Sequence, residues 1–274
     1  MEIKVADVAK LRKMTGAGMM DCKNALVESN GDFDRAQEII REKGKLVAAK
    51  RADRETTEGS VIALANAAHN KAILVCVGCE TDFVSKNQDF QDLANGIAKV
   101  ALENMPADLD ALKALPYGNG TVEEAITQQT GKSGEKTVIA FYNKLEAPFV
   151  STYIHMNSKV ATIVGFTKEI TAEAGKEIAM QITAMVPVSV DRSSCPQEII
   201  DKEMHIYREQ IREEGKPENM VEKIAEGKLN KFFKEYTLED QIFTRDGKIS
   251  VKEYLKSVDP QVKTTAFYRF SLND

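Results

Sequence analysis

The chain has 274 residues, of which 43% are hydrophobic and 29% are charged, as is typical of a folded protein with a sizeable core. Its 37 lysines and arginines stand against 42 aspartates and glutamates, and a formal charge of −5 argues against a dedicated nucleic-acid binder. Neither an apolar membrane span nor a signal peptide is evident, and four unevenly spaced cysteines do not suggest a disulfide framework. We therefore expect a cytoplasmic protein that binds neither nucleic acid nor membranes.

Three short helical patterns occupy the first fifty residues. In each of them apolar residues recur three and four positions apart, as one face of a helix requires. Residues 15–18 separate the first pattern from the second, and Gly31 separates the second from the third. Gly44 is expected to end the third helix, because glycine weakens helices. The polar run 50–58 predicts a linker or an exposed helix end, with a domain boundary near residue 55.

The next part of the chain shows a hairpin followed by a helix, and the same order then returns. Alternating apolar segments around a polar turn indicate a first hairpin, and apolar residues at helical spacing predict one long helix over 83–103. Further strand patterns and another helix follow from residue 137 onward. We therefore predict an α+β protein with two related subdomains after the N-terminal helices, at residues 56–136 and 137–274.

Residues 196–233 have a different pattern. Ile200, Met204, Tyr207 and Ile211 are spaced four, three and four apart, which is the spacing of a coiled-coil seam. A Gly-Lys-Pro turn at 215–217 then precedes a second apolar stripe. The segment predicts an antiparallel helical hairpin inserted in the second subdomain. It is expected to serve as a homodimer surface or as a spacer, and the first is preferred.

One segment resembles part of a phosphate-binding loop. Residues 130–133 read Thr-Gly-Lys-Ser, but the glycine required five positions before Gly131 is replaced by Ile126. The segment also follows a predicted helix, so its backbone amides are not expected to converge on a phosphate. We do not expect a nucleotide site there.

Cys76 and Cys79 form a Cys-x-x-Cys pair between a predicted strand and a predicted helix, where thiol–disulfide oxidoreductases hold their redox cysteines. Such cysteines are also common as small buried hydrophobic residues. A zinc site would need a second ligand pair, whereas Cys22 and Cys195 are isolated in the sequence. We favour a binding protein without enzymatic activity, cofactor or metal, and keep a thiol oxidoreductase as the alternative.

Two segments resemble the signatures of the elongation factor Ts family, the guanine-nucleotide exchange factors of elongation factor Tu. Residues 11–23 read LRKMTGAGMMDCK and residues 81–84 read TDFV. The order of helical domain, two α+β subdomains and helical hairpin is also similar, so the resemblance covers essentially the whole chain. It implies that residues 1–55 form a three-helix domain like the ubiquitin-associated (UBA) fold.

The resemblance also implies a partner and a site. In this family the N-terminal domain and the core both contact the G domain of elongation factor Tu, and an Asp-Phe pair wedges between two of its helices near the Mg²⁺ site. This implies that Asp82 and Phe83 form the wedge, flanked by Thr81 and Val84. It implies further contacts through Met19, Met20, Lys23, Gly134 and His155.

Other interpretations remain open at this stage. Asp82 also fits a helix N-cap and Phe83 the first core residue of the predicted helix, while Met19 shares a helical face with apolar neighbours. An adaptor built on the N-terminal domain is a further candidate function. Ala140 and Phe141 stand where many family members have a basic pair, and no helix is expected after the last strand, so those contacts are expected to be missing.

Overall fold

A computed structural model of the protein describes residues 3–155 and 158–272. The described residues form two compact units, one within residues 1–62, 75–143 and 271–274, the other within residues 63–74 and 144–270. Helices and strands are mixed along the chain, as the α+β prediction requires. The domain boundaries expected near residues 55 and 136 stay predictions.

The N-terminal helices are α1 (Val5–Thr15), α2 (Met19–Glu28) and α3 (Phe33–Lys50). Their buried residues include Leu11, Leu26 and Ala36, so the predicted apolar faces pack against one another. The prediction that Gly44 ends the third helix is wrong, because α3 continues to Lys50. Gly44 is buried against a later helix, and the roughly 1 kcal/mol that an interior glycine costs is too little to end a helix that is packed on its neighbours.

The segment after the N-terminal helices alternates between strands and helices. Its elements are β1 (Glu58–Ala65), β2 (Lys71–Cys79), α4 (Asp82–Ser85), α5 (Gln88–Asn104), α6 (Leu109–Ala114), β3 (Pro116–Tyr117), β4 (Gly120–Thr121), α7 (Val122–Ser133) and β5 (Thr137–Glu146). Strands β1, β2 and β5 form a sheet in the order β1-β2-β5, and β3 pairs with β4.

The prediction of one helix over 83–103 is wrong, because the structure has α4 and α5 there. Asn87 separates them: its backbone is extended, and its side chain accepts a hydrogen bond from the Asp89 backbone N–H at 2.9 Å. Asn87 therefore caps a new helix and does not continue the first. This break determines the direction in which the side chains of α4 point.

The second unit contains a three-stranded sheet and the helical hairpin. Its elements are β6 (Phe149–Ile154), β7 (Val160–Phe166), α8 (Ala172–Met185), α9 (Gln197–Glu213), α10 (Glu218–Tyr236), a 3-10 turn (Leu238–Asp240), α11 (Val251–Val258) and β8 (Thr264–Ser271), and the sheet order is β6-β7-β8. Helices α9 and α10 pack together through Met204, Ile211, Val221 and Ala225, which confirms the predicted apolar seam.

Candidate partner-binding site

The site begins at the end of β2, where the chain turns into the single-turn helix α4. Phe83 is 85% exposed, the largest exposed fraction among the large hydrophobic residues of the described chain. The interpretation of Phe83 as a core residue is therefore wrong. Its neighbours anchor the turn, since Ser85 is buried and Val84 is half-buried. The chain thus presents one aromatic ring to solvent on a short and well-connected segment.

Glu135 holds the start of α4 from the loop after α7. The Thr81 backbone N–H donates to one carboxylate oxygen of Glu135 at 3.1 Å, and the Thr81 hydroxyl donates to both oxygens at 2.8 and 3.0 Å. Inside the turn, the Ser85 hydroxyl donates to the Asp82 carbonyl oxygen at 3.1 Å. Gln91 also donates its side-chain amide to the Ser85 carbonyl. These bonds fix the backbone on both sides of Phe83.

Asp82 is the first residue of α4, and Thr81 is its N-cap residue. Lys86 donates to the Asp82 carboxylate at 2.6 Å, as a helix favours for residues four positions apart. This hydrogen bond raises the pKa of Lys86 above its usual value. Asp82 therefore acts as part of an ion pair beside the exposed ring, and the N-cap interpretation of Asp82 is wrong.

The three N-terminal site residues lie on α2. Met20 is 65% exposed, Met19 is 41% exposed, and Lys23 is exposed, so Met19 is not confined to the core. Met19 also lines an open groove beside α1, together with Ala9, Arg12, Lys13, Gly16, Asp89 and Lys132. The groove connects Met19 with α5 and α7, the two helices next to the Phe83 turn.

Gly134 and His155 lie in different units. Gly134 has a positive φ of 74° at the C-cap of α7, which favours glycine, and it directly precedes the Glu135 that binds Thr81. His155 is exposed after β6, and its Nδ1 lies 3.2 Å from the Tyr153 hydroxyl. The structure therefore places Gly134 next to the Phe83 turn, while His155 belongs to the second unit.

Cys76 and Cys79 are buried and unbridged at the end of β2. Burial raises the pKa of both thiols to about 12, and for Cys79 the charges of Glu135 and Glu58 add to the effect. The Cys79 thiol also donates to the Thr81 carbonyl oxygen at 3.2 Å. Redox cysteines need a lowered pKa and access to substrate. The alternative of a thiol oxidoreductase is therefore not supported.

Among the described residues, 3–155 and 158–272, no group of three or more His, Cys, Asp or Glu side chains is placed to hold a metal ion. None of the helices in these ranges is long and apolar enough to cross a bilayer.

An exposed aromatic ring on an anchored turn, with exposed methionines on a nearby helix, is typical of proteins that act by binding a partner. The comparisons with known proteins agree. A family model described as Elongation factor TS matches residues 80–274. The elongation factor Ts of Christiangramia forsetii is 49% identical over 273 residues, or 99% of each chain. Those of Azobacteroides pseudotrichonymphae and Porphyromonas gingivalis are each 45% identical over 274 residues, covering 100% of this chain and 99% of theirs.

The chain belongs to the elongation factor Ts family. It is a translation elongation factor of the guanine-nucleotide exchange type, as the resemblance of residues 11–23 and 81–84 predicted.

Proposed function

We propose that the chain binds the G domain of GDP-bound elongation factor Tu in the cytoplasm, displaces Mg²⁺ and GDP, and permits reloading with GTP. In this proposal it performs no chemical step and needs no cofactor or metal of its own. The observation that carries the proposal is the 85% exposure of Phe83 on a turn that Glu135 anchors. In the free protein the apolar ring is in contact with water, and a partner that covers it removes this surface from water, which is favourable.

The free energy gained by burying the Phe83 ring determines how much the ring can accelerate GDP release. Covering a phenylalanine side chain contributes roughly 1.5–3 kcal/mol, and each 1.4 kcal/mol corresponds to about a factor of ten. If Phe83 inserts only into a state of the G domain in which GDP and Mg²⁺ are weakly bound, it stabilises that state and accelerates GDP release by about tenfold to a hundredfold. Larger acceleration requires further contacts that act together with it.

Asp82 supplies the charged part of the wedge. Its carboxylate is paired with Lys86 in the free protein. When the turn enters the G domain, this carboxylate approaches the phosphates of GDP and the water shell of Mg²⁺, which the ion releases reluctantly. Repulsion between the carboxylate and the phosphates then favours release of the nucleotide.

The other partner contacts are proposed on the same basis. Met19, Met20 and Lys23 are exposed on one helix, and two of them offer flexible apolar side chains that adapt to a partner surface. Gly134 lies at the base of the Phe83 turn, and His155 contributes a contact from the second unit. These residues extend the interface beyond a single ring.

Some features of the architecture belong to the same proposal. Residues 1–55 are proposed to be a UBA-like domain, followed by the subdomains at 56–136 and 137–274. The hairpin at 196–233 is proposed to mediate a homodimer. The apolar residues between α9 and α10 are largely used within the hairpin. A dimer would therefore use its outer faces, which carry ion pairs such as Arg208 with Glu222.

The test is stopped-flow release of fluorescent GDP from elongation factor Tu, with and without the chain. Phe83→Ala is expected to slow release about tenfold to a hundredfold relative to the unaltered chain. Its melting temperature is expected to stay unchanged, because the ring is exposed. Leu46→Ala is the matched control, since Leu46 is 63% exposed on α3 and belongs to no proposed contact. Equal rates for Phe83→Ala and the unaltered chain would overturn the proposal.

A further inference from the structure

The Thr-Gly-Lys-Ser segment 130–133 has a structural use that its likeness to a phosphate loop does not suggest. It forms the last turn of α7, where the Thr130 hydroxyl accepts a hydrogen bond from the Thr137 N–H at 3.0 Å. At Gly131 this turn meets Gly44 of α3, and both glycines lie inside helices. The contact is between backbones, because neither residue has a side chain to separate them.

The crossing leaves no room for a side chain on α7. A Cβ atom added to Gly131 would lie 2.7 Å from the Gly44 Cα, closer than real Cβ contacts allow. A Cβ added to Gly44 would instead meet the Thr127 carbonyl oxygen at 3.5 Å and the Gly131 Cα at 3.9 Å, which are ordinary contacts. Gly131 is therefore the residue that permits the close approach of the two helices.

On one side, the crossing is connected to the helix that carries the methionines. Lys43, the neighbour of Gly44, forms an ion pair with Asp21 of α2, the helix of Met19 and Met20. The neighbour of Gly131, Lys132, forms an ion pair with Asp89 and lines the same groove as Met19 and Gly16. A shift of α3 away from α7 would move α2 with it.

On the other side, the same turn leads directly to the Phe83 segment. The helix α7 ends at Gly134, and the next residue, Glu135, accepts the hydrogen bonds from Thr81. Glu135, the anchor of the exposed ring, therefore lies only four positions after Gly131, which contacts α3. The whole route lies within the first unit.

We infer that Gly131 is a positioning residue, which fixes the spacing between the methionines of α2 and the ring of Phe83 so that the partner meets both at once. The inference rests on the proposed function. Its physical basis is preorganisation: two contacts held at the correct spacing bind without the entropy cost of aligning them. If the spacing is lost, Phe83 still binds, but the exposed methionines no longer reach their part of the partner.

The experiment compares the effect of Met20→Ala in two backgrounds, using GDP release from elongation factor Tu in both. In the unaltered chain, Met20→Ala is expected to slow release about tenfold, because Met20 is 65% exposed and would be covered by the partner. In the Gly131→Ala background, the same substitution is expected to change the rate by less than about twofold. Phe83→Ala is expected to keep its full effect there.

A purely structural role for Gly131 would give a different result. Loss of folded protein lowers all rates by one factor and leaves the relative effect of Met20→Ala intact, so an intact effect in the Gly131→Ala background would overturn the inference. Absence of a Met20→Ala effect in the unaltered chain would overturn it too. Loss of the Phe83→Ala effect in the unaltered chain would instead overturn the proposed function.

Two further variants guard against misfolding. Gly227→Ala is the matched control, because Gly227 lies within α10 and a Cβ there meets nothing within 4 Å. It is expected to leave both effects intact. Lys132→Met keeps the bulk and removes the ion pair between α7 and Asp89 of α5, but it leaves the contact between Gly131 and Gly44 in place, so it is also expected to leave both effects intact. Hydrogen exchange is expected to become faster in α3 around Gly44 for Gly131→Ala but not for Gly227→Ala.

Discussion

Glu135 offers the sharpest test of whether the exposed ring must be held rigidly. Glu135 is not itself among the predicted partner contacts, yet it accepts hydrogen bonds from the Thr81 N–H at 3.1 Å and from the Thr81 hydroxyl at 2.8 Å. Hydrogen bonds to a charged acceptor contribute about 1.5–3 kcal/mol each when shielded from water. Both residues are half-buried, so water replaces part of this loss, and we expect Glu135→Ala to weaken the anchor by about 1–2 kcal/mol.

This free energy has to be recovered when the partner binds, because a loosened turn must be ordered again around Phe83. The expected result is a rate of GDP release about five- to thirtyfold lower, with the ring still present. Stopped-flow fluorescence at several concentrations of the chain measures this loss. Glu124→Ala is the control, because Glu124 forms a capping box with Thr121 at the opposite end of α7. A wild-type rate for Glu135→Ala, or an equal loss for Glu124→Ala, would refute the reasoning.

Two further predictions concern groups outside the interface. Replacing Cys76 and Cys79 by alanine is expected to leave GDP release per folded molecule unchanged. Alkylation of the native thiols near neutral pH is expected to be slow, because burial raises the pKa of both thiols to about 12. Rapid alkylation of the folded chain would contradict this expectation. Glu239 is buried, and burial raises its pKa above 4.5, so its contribution to stability is lost as the pH rises through that raised value. Glu239→Gln is therefore expected to raise the melting temperature more at about pH 7 than at about pH 4, and an equal change at both would count against it.

The sequence predicted those parts of the fold that depend on local pattern. The seam of the helical hairpin was predicted from four residues at coiled-coil spacing, and Met204 and Ile211 are buried there. The three N-terminal helices follow from their apolar faces in the same way. In both cases the residues that create the pattern also form the contacts, so periodicity alone was sufficient.

The site depends on contacts that no local pattern contains. Glu135 lies 54 positions after Thr81 in the sequence, and nothing near either residue indicates that they meet. Gly44 has the local pattern of a helix end, because glycine usually weakens a helix, whereas in the structure it lies inside α3 and its backbone packs against Gly131. A packing contact with a residue far away in the sequence therefore gives Gly44 a position that its local sequence does not predict.

The exposure of Phe83 is another feature that a local apolar pattern does not predict, here within a single helical turn. Position 83 fits the apolar face of a continuous helix over 83–103, and in such a helix the ring would be buried beside Phe90. The cap at Asn87 ends that continuity, so α5 buries Phe90 while α4 leaves Phe83 uncovered. If binding of this ring weakens the partner's affinity for its nucleotide, as proposed, then by reciprocity the bound nucleotide weakens the partner's affinity for the ring by the same factor. A single ring accounts for only about a hundredfold at most. Faster exchange therefore requires further contacts held at a fixed spacing from the ring. In the proposed arrangement, the last turn of α7 connects the N-terminal helices, which carry the methionines, with the turn that carries Phe83.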